Sequence, residues 1–127
     1  MKHNFIIEKR KIIVTAKIKD RDFRFILDTG ATTSVIDSSV AVRLGFDLKN
    51  LASVKLTTAG GSVMSKSLKL CQINLFDTEV SNFDVSVINL PYQITLFASG
   101  LIGMDFLLKF KELKINFDEK YIETFNN

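Results

Sequence analysis

Apolar and polar residues alternate along two stretches near the start of the chain. Residues 11–18 are rich in β-branched side chains, and residues 22–28 carry phenylalanine or leucine at every second position. An apolar repeat of two residues is typical of a half-buried strand. The polar segment 19–22 between the two stretches indicates a turn. The pattern therefore predicts a hairpin whose second strand ends at Asp28.

The rest of the pattern predicts more strands and two short helices. Residues 37–45 form the first helix, because Asp37 can accept a hydrogen bond from an unpaired N–H and Gly45 suits the left-handed residue after the last turn. Residues 105–110 form the second helix. The remaining predicted elements are strands over most of 54–89, a loop over 90–99 and a hairpin of 112–117 and 121–125. A mostly-β chain of this kind favours a small closed or partly closed β barrel.

Length and composition restrict the possible chemistry. With 127 residues and 46% hydrophobic content, we expect a single domain over residues 1–127 that builds its own core. Cys71 is the only cysteine and lies in an apolar strand-like segment, so we expect a buried thiol without a disulfide. His3 is the only histidine, which argues against a zinc site or a Ser-His-Asp hydrolase. No metal and no cofactor is predicted.

The N-terminal segment and the charge pattern bear on location and partners. The apolar run within residues 1–10 is too short for a secretory signal, and no apolar stretch approaches the roughly 20 residues of a membrane helix. We therefore expect a cytoplasmic protein that does not bind membranes. The net charge is +3, and basic residues recur at Lys17, Lys19, Arg21 and Arg24. Because acidic residues interrupt them, they indicate solvated strand faces and a hairpin tip rather than nucleic-acid binding.

The end of the predicted hairpin carries a recognisable motif. An apolar strand leads into Asp28-Thr29-Gly30-Ala31, where a glycine allows a sharp turn and a rigid strand holds a carboxylate in place. This segment resembles the D-T-G-A signature of retropepsin-type aspartic proteases.

Two further segments are similar to landmarks of the same family. Residues 100–108 have two aliphatic residues, a glycine and then a short helix with an acid at Asp105, and they lie at a retropepsin-like separation from Asp28. Residues 57–62 lie between two β-prone arms, as the family's flap hairpin does. The three matches together extend from about residue 12 to residue 125.

The resemblance implies a small closed β barrel of the acid-protease type and an aspartic endopeptidase that acts on peptides or proteins. It implies that Asp28 is catalytic. It also implies support of the active site by Thr29, Gly30 and Ala31, and a flap over the substrate formed by Thr58, Ala59, Gly60 and Gly61.

This chemistry needs two adjacent carboxylates, which share one proton and activate a water molecule. Only Asp28 lies in a D-T-G segment. A twofold homodimer would supply the second carboxylate from the other copy, and the resemblance implies such a homodimer. The alternative donor is Asp105, which in the family supports structure.

The chain departs from retroviral members at two places. Thr32 and Met104 occupy positions where those members have an Asp and an Arg that pair ionically, and losing both partners leaves no unpaired charge. The chain also continues through a full hairpin after the second helix. It is therefore more similar to bacterial and DNA-damage-inducible cellular members, and the way in which the dimer forms stays open.

Two other functions compete with the protease. The first is a non-catalytic dimerisation or peptide-binding module on the same fold, because fold does not determine function. The second is a nucleic-acid-binding β barrel, which lacks the expected aromatic residues among its basic ones.

Overall fold

The computed structural model describes residues 1–58 and 60–126, without the side chain of Thr58. Most of the described chain is in strands, which confirms the predicted fold class. The strands are β1 (Lys2–Asn4), β2 (Ile6–Glu8), β3 (Lys11–Ile18), β4 (Arg21–Leu27), β5 (Val35–Asp37), β6 (Ala52–Thr58), β7 (Gly61–Leu75), β8 (Thr78–Ile88), β9 (Gly100–Ile102), β10 (Glu112–Asn116) and β11 (Tyr121–Phe125). The helical segments are α1 (Ser38–Arg43), a 3-10 turn (Leu48–Asn50), α2 (Tyr92–Thr95) and α3 (Met104–Leu107).

The strands form two sheets. The larger has the order β2-β3-β4-β9-β5-β8-β7-β6, and a further pairing between β3 and β7 closes it into a ring. The smaller has the order β1-β11-β10 and joins the two ends of the chain. Strand β9 lies between β4 and β5, parallel to β4 and antiparallel to β5. The ring thereby brings the end of β4 next to the end of β9.

The predicted first hairpin is confirmed with a tighter turn than the sequence indicated. Lys19 and Asp20 both have positive φ, as a two-residue type I′ turn requires. On β4, Phe23 and Phe25 are buried whereas Arg24 is exposed, so the period of two directs the phenylalanines into the core. Their burial stabilises the hairpin by about 2 kcal/mol for each side chain.

A main core fills the ring and includes the short helices α1 and α3. Its largest fully buried side chains include Phe25, Phe106, Ile36 and Ile102. Phe106 packs edge-on against Phe83, with 5.5 Å between the ring centroids. Because Phe106 lies on α3, the core fixes this helix against the ring.

The segment before β9 forms a second, smaller core outside the ring. Ile13 of β3 and Ile26 of β4 are buried there with Ala98, against Ile94 and Phe97. Helix α2 lies within this segment, in residues that the sequence predicted as a loop, and its four residues form one turn after Pro91. A single turn has too few residues to show a helical repeat, so the pattern alone did not reveal it.

The prediction of a buried Cys71 is wrong, because this cysteine is exposed. On β7, Leu68 and Leu70 are buried, but the next buried residue is Ile73 rather than a residue two positions on. Opposite this point on β8, Asn82 has a φ of 53°. The alternation of buried and exposed residues along β7 therefore shifts by one residue at this point, and the Cys71 thiol faces solvent.

Helix α1 confirms both predicted end signals. The Asp37 side chain accepts from the N–H of Ser39 at 3.1 Å and from the Ser39 hydroxyl, and also from the N–H of Leu90 at 2.8 Å. Gly45, just beyond the helix, has a φ of 93°. Burial by itself would raise the pKa of the Asp37 carboxyl, but the hydrogen bonds outweigh it and hold the pKa below its usual value.

Replacing Asp37 with Ala should lower the free energy of unfolding by about 1–2 kcal/mol at neutral pH, since the helix loses its cap. A carboxyl with a lowered pKa in the folded state stabilises the fold above its unfolded pKa, near 3.8, and less as the pH falls through the folded value. The difference between wild type and Asp37→Ala in urea unfolding should therefore narrow below about pH 4. Asp47→Ala, which removes the cap of the exposed 3-10 turn, should cost less. A difference that stays constant from pH 7 to pH 3 would contradict the role of the ionised carboxylate.

Candidate active site

Strand β4 delivers Asp28 to the rim of an open cleft. The N–H of Asp28 donates to the carbonyl of Ile102 at 2.9 Å, which continues the pairing with β9 by one residue beyond the strand. After Asp28 the chain turns, and the N–H of Gly30 donates to Asp28 Oδ1 at 2.9 Å. A carboxylate bonded to its own turn has a fixed orientation, and Asp28 is half-buried. Its position is thus set by the sheet on one side and by the turn on the other.

The loop after Asp28 is tied to helix α3 by Asp105. The carboxylate of Asp105 accepts from the backbone N–H of Ser34 at 2.9 Å and from its hydroxyl at 2.7 Å. The same hydroxyl oxygen accepts from the N–H of Gly103 at 2.9 Å. Ser34 is only 1% exposed, and the charge of the Asp105 carboxylate strengthens both of its bonds to Ser34. Asp105 therefore holds the loop in place.

Two glycines allow this loop and β9 to lie so close together. A Cβ on Gly103 would lie 2.7 Å from the carbonyl oxygen of Ala31, and one on Gly100 would lie 2.1 Å from the carbonyl oxygen of Val35. Any larger residue at either position would have to push the neighbouring backbone away. Gly103 thus allows the loop to lie against the start of α3, and Gly100 allows β5 to lie against β9.

The cleft beside Asp28 has a volume of about 770 Å³. Its lining comprises Asp28, Gly30, Ala31, Thr32, Thr33, Val35, Lys55, Leu56, Thr57, Ile88 and Leu101. Asp28 is the one carboxylate among these described residues. Strands β6 and β7 pair as a hairpin, with Leu56 opposite Val63 and Thr58 opposite Gly61, and its first arm forms one wall of the cleft. A peptide entering the cleft would lie between this hairpin and Asp28.

The predicted catalytic segment and the first arm of the β6–β7 hairpin line the same cleft, and the predicted flap residues Thr58, Gly60 and Gly61 lie at the end of this hairpin. Thr29 is exposed at the turn, and Ala31 lines the cleft. Of the predicted flap residues, Thr58 ends β6, Gly60 lies in an exposed turn and Gly61 begins β7 with a φ of 115°. Ala59 lies outside the described residues.

The described residues hold neither a metal-ligand cluster nor a membrane-spanning helix. Over residues 1–58 and 60–126, no three His, Cys, Asp or Glu side chains group as they would around a metal ion. Over the same ranges, no helix has the length and apolar character needed to cross a membrane.

Comparison with known proteins agrees with the chemistry of this cleft. A sequence model of a family described as aspartyl protease matches residues 14–106, which is most of the chain and includes Asp28 and Asp105. The chain belongs to the aspartyl protease family. The structure is similar to the crystal structure of a retropepsin-like aspartic protease from Rickettsia conorii, with a TM-score of 0.72 and 21% sequence identity over 98% of this chain and 90% of that one. This likeness shows the retropepsin-like fold. No curated protein matches the sequence.

In this member of the aspartyl protease family, backbone hydrogen bonds join the segments that carry Thr32 and Met104. The backbone N–H of Met104 donates to the carbonyl of Ala31 at 2.8 Å, and that of Asp105 donates to the carbonyl of Thr32 at 3.2 Å. The side chains of Thr32 and Met104 are not needed for either bond. The two segments are therefore joined by the backbone and by the Asp105 carboxylate.

Ser34 is the site residue that the sequence analysis did not identify. It lies six residues after Asp28, outside the D-T-G-A segment, and a serine before an apolar strand has no distinctive pattern. The prediction that Asp105 is a structural acid could have led to Ser34, because a partly buried carboxylate needs hydrogen-bond donors from the loop that it faces.

Proposed function

We propose that the chain is an aspartic endopeptidase that acts as a homodimer and hydrolyses peptide bonds with water activated between two Asp28 carboxylates. The observation that carries the proposal is the single carboxylate on the described lining of the cleft, at the end of a strand in a D-T-G-A turn. Aspartyl proteases use a pair of carboxylates. Because the described cleft lining supplies one, the second would come from Asp28 of another copy of the chain. We also propose that residues 1–127 act as one domain.

In the proposed mechanism the two Asp28 side chains have different tasks. One ionised carboxylate removes a proton from the attacking water, and the other, protonated, donates a hydrogen bond to the scissile carbonyl oxygen. Two close carboxylates cannot both be ionised without strong repulsion, so they hold one proton between them and titrate as a pair. The Gly30 N–H at 2.9 Å from Asp28 Oδ1 would keep each carboxylate oriented toward the substrate.

The neighbouring residues would complete the site. The exposed Thr29 hydroxyl is free to bond across the dimer axis, and the small Ala31 leaves room for the main chain of the substrate. The hairpin of β6 and β7, with Thr58, Ala59, Gly60 and Gly61 at its end, would act as the flap that covers the bound peptide and excludes water. The cytoplasmic location expected from the sequence stays a prediction.

The contacts of Asp105 support the homodimer against the alternative donor. Both of its carboxylate oxygens accept hydrogen bonds from Ser34, and Oδ1 also accepts from the N–H of Phe106 at 2.9 Å. Asp105 is not part of the cleft lining. Turning it toward Asp28 would break three hydrogen bonds, each worth about 1–3 kcal/mol for a charged acceptor. A second copy of Asp28 requires no such rearrangement.

Dilution should test the homodimer directly. If each active site contains Asp28 from both copies, the specific peptidase activity should fall as the protein is diluted through its dimer dissociation constant, because monomers lack the second carboxylate. The measurement is initial rate per milligram against concentration, alongside sedimentation over the same range. A tandem fusion of two copies through a flexible linker should keep its specific activity on dilution.

Three results would decide between the functions. A sedimenting monomer with undiminished specific activity would refute the homodimer. A dimer that binds peptides without cleaving them would favour the non-catalytic peptide-binding module. Cleavage that fails in chelator would contradict the two-carboxylate mechanism, which uses no metal ion.

A further inference from the structure

The basic residues of the β3–β4 hairpin have different roles in the structure. Lys17 pairs with Asp22 at 3.5 Å. The ammonium of Lys19 donates to the carbonyl of Leu44 at 2.7 Å, just after helix α1. These two lysines are thus held by groups within the protein. The arginines of the same hairpin are placed differently.

Arg24 and Arg43 carry positive charge at the surface and form no salt bridge among the described residues, although the charge of Arg43 helps to lower the pKa of Asp37. Both are exposed, and neither is in any ion pair of the described chain. The guanidinium of Arg43 lies over the Phe23 ring, 5.5 Å from its centroid. Arg21 adds to this charge, because its guanidinium donates to the carbonyl of Arg43 at 3.1 Å. The stacking and this contact place the charge of Arg43 beside β4.

A groove of about 350 Å³ lies between these arginines and the segment before β9. Its lining comprises Asp22, Phe23, Arg24, Arg43, Thr95, Leu96, Phe97, Ala98 and Ser99. The Leu96 side chain is 66% exposed. Asp22 is the one acid on this lining, and Lys17 already neutralises it. The groove therefore offers two arginines that form no salt bridge on one side and the exposed Leu96 side chain on the other.

We propose that this groove, called here the arginine groove and lined as above, binds an acidic segment of a protein substrate. The planar guanidinium groups of Arg24 and Arg43 match carboxylates in a two-point geometry, and an apolar residue within the segment would pack on Leu96. A nucleic acid fits less well. Strand binding uses open aromatic faces for stacking, whereas Phe23 is 5% exposed beneath Arg43 and Phe97 is partly buried in the second core.

The position of the arginine groove relates it to the cleft, and this step rests on the proposed function. Arg24 lies on β4, four residues before Asp28, which is a distance of about 13 Å at the rise of a strand. Between the two sites, the chain runs from Ser99 in the groove into strand β9, whose Leu101 lines the cleft. The acidic segment should therefore lie at least about four extended residues from the scissile bond.

Binding tests the groove without requiring catalysis. The probe is a dye-labelled peptide with four glutamates around one leucine, compared with the same peptide carrying glutamines, and both are titrated against the Asp28→Asn variant. At low salt we expect the glutamate peptide to bind at least about fivefold more tightly, and this preference to shrink as salt screens the charges. Replacing Arg24 or Arg43 with Gln should weaken its binding about threefold each.

Matched variants separate the groove from general charge. Lys49→Gln and Lys109→Gln, at exposed positions outside the groove, remove the same charge and should leave the affinity unchanged. The double variant Arg24→Glu/Arg43→Glu should prefer a lysine peptide to the glutamate peptide. Thermal unfolding of Arg24→Gln checks that the fold persists. The proposal would be overturned if the glutamate and glutamine peptides bound equally well, or if the two lysine variants lost as much affinity as the arginine variants. Tighter binding of a single-stranded RNA of matched charge would also overturn it.

Kinetics then connects the groove with cleavage. Two peptide substrates share one scissile sequence, and one of them carries the acidic segment five residues away. The ratio of their kcat/KM values should exceed one in the wild type and approach one in Arg24→Gln/Arg43→Gln. Glutamate-selective binding with no cleavage of any peptide would support the groove and refute the endopeptidase, whereas cleavage with a ratio of one in the wild type would refute the role of the groove in substrate binding.

Discussion

Replacing Asp28 with Asn should lower kcat/KM for peptide cleavage by at least about 1000-fold, the scale of a lost general acid-base group. In a homodimer the substitution removes both ionisable groups at once, so neither a base for the water nor a donor for the carbonyl is left. The fold should persist, since the Asn Oδ1 can still accept from the Gly30 N–H that now bonds the carboxylate at 2.9 Å. The measurement is cleavage of a fluorogenic peptide, with urea unfolding to compare stability.

Asp47→Asn is the matched control for this experiment. It makes the same chemical change at an exposed aspartate outside the cleft and should keep the wild-type rate. Mixing wild type with excess Asp28→Asn should also suppress activity, because mixed dimers contain one carboxylate. Cleavage by purified Asp28→Asn at a rate near that of the wild type would refute the role of Asp28 as the catalytic carboxylate.

Replacing Gly100 with Ala should destabilise the protein by at least about 3 kcal/mol, the upper range for an overpacked core. The new Cβ would lie 2.1 Å from the carbonyl oxygen of Val35 and 2.7 Å from Cε1 of Phe25. The carbonyl belongs to the backbone of β5, and the phenyl group of Phe25 is fully buried. Neither can move away without separating strands of the larger sheet. The measurement is the free energy of unfolding in urea.

Gly45→Ala separates this clash from the ordinary cost of losing a glycine. At Gly45 nothing lies within 4 Å of a new Cβ, but φ is 93°, so the cost should be about 1–2 kcal/mol of backbone strain. Gly100→Ala should also reduce activity, because β9 supports Asp28 through the Ile102 carbonyl. Similar losses of stability in the two variants would contradict the steric argument.

Local patterns predicted the elements that are long or capped by distinctive residues. The alternation in β4, the cap at Asp37 and the glycine after α1 all depend on near neighbours in sequence, and the structure confirms them. The single turn of α2 and the exposure of Cys71 depend on contacts with other strands. In particular, the phase change at Cys71 coincides with the positive φ of Asn82 on the next strand, which no pattern within β7 contains.

The candidate site divides in the same way. The D-T-G-A turn and the hairpin of β6 and β7 could be predicted, because each depends on residues close together in sequence. The tie between Ser34 and Asp105 joins positions 71 apart, and the arginine groove combines a hairpin, a helix end and the segment before β9. Such combinations arise from the closure of the ring, so the sequence showed their residues without showing that they meet.

The pairing of β1 with β11 has a consequence for the order of events during synthesis. Lys2 lies opposite Glu123, and the carbonyl of Met1 accepts from the N–H of Thr124 at 2.9 Å. Strand β1 therefore leaves the ribosome well before its partner β11 has been made. Until then β1 has an open edge, and contacts this distant in sequence form slowly. A nascent chain halted before Tyr121 should be far more sensitive to protease at its N-terminal strand than the released protein.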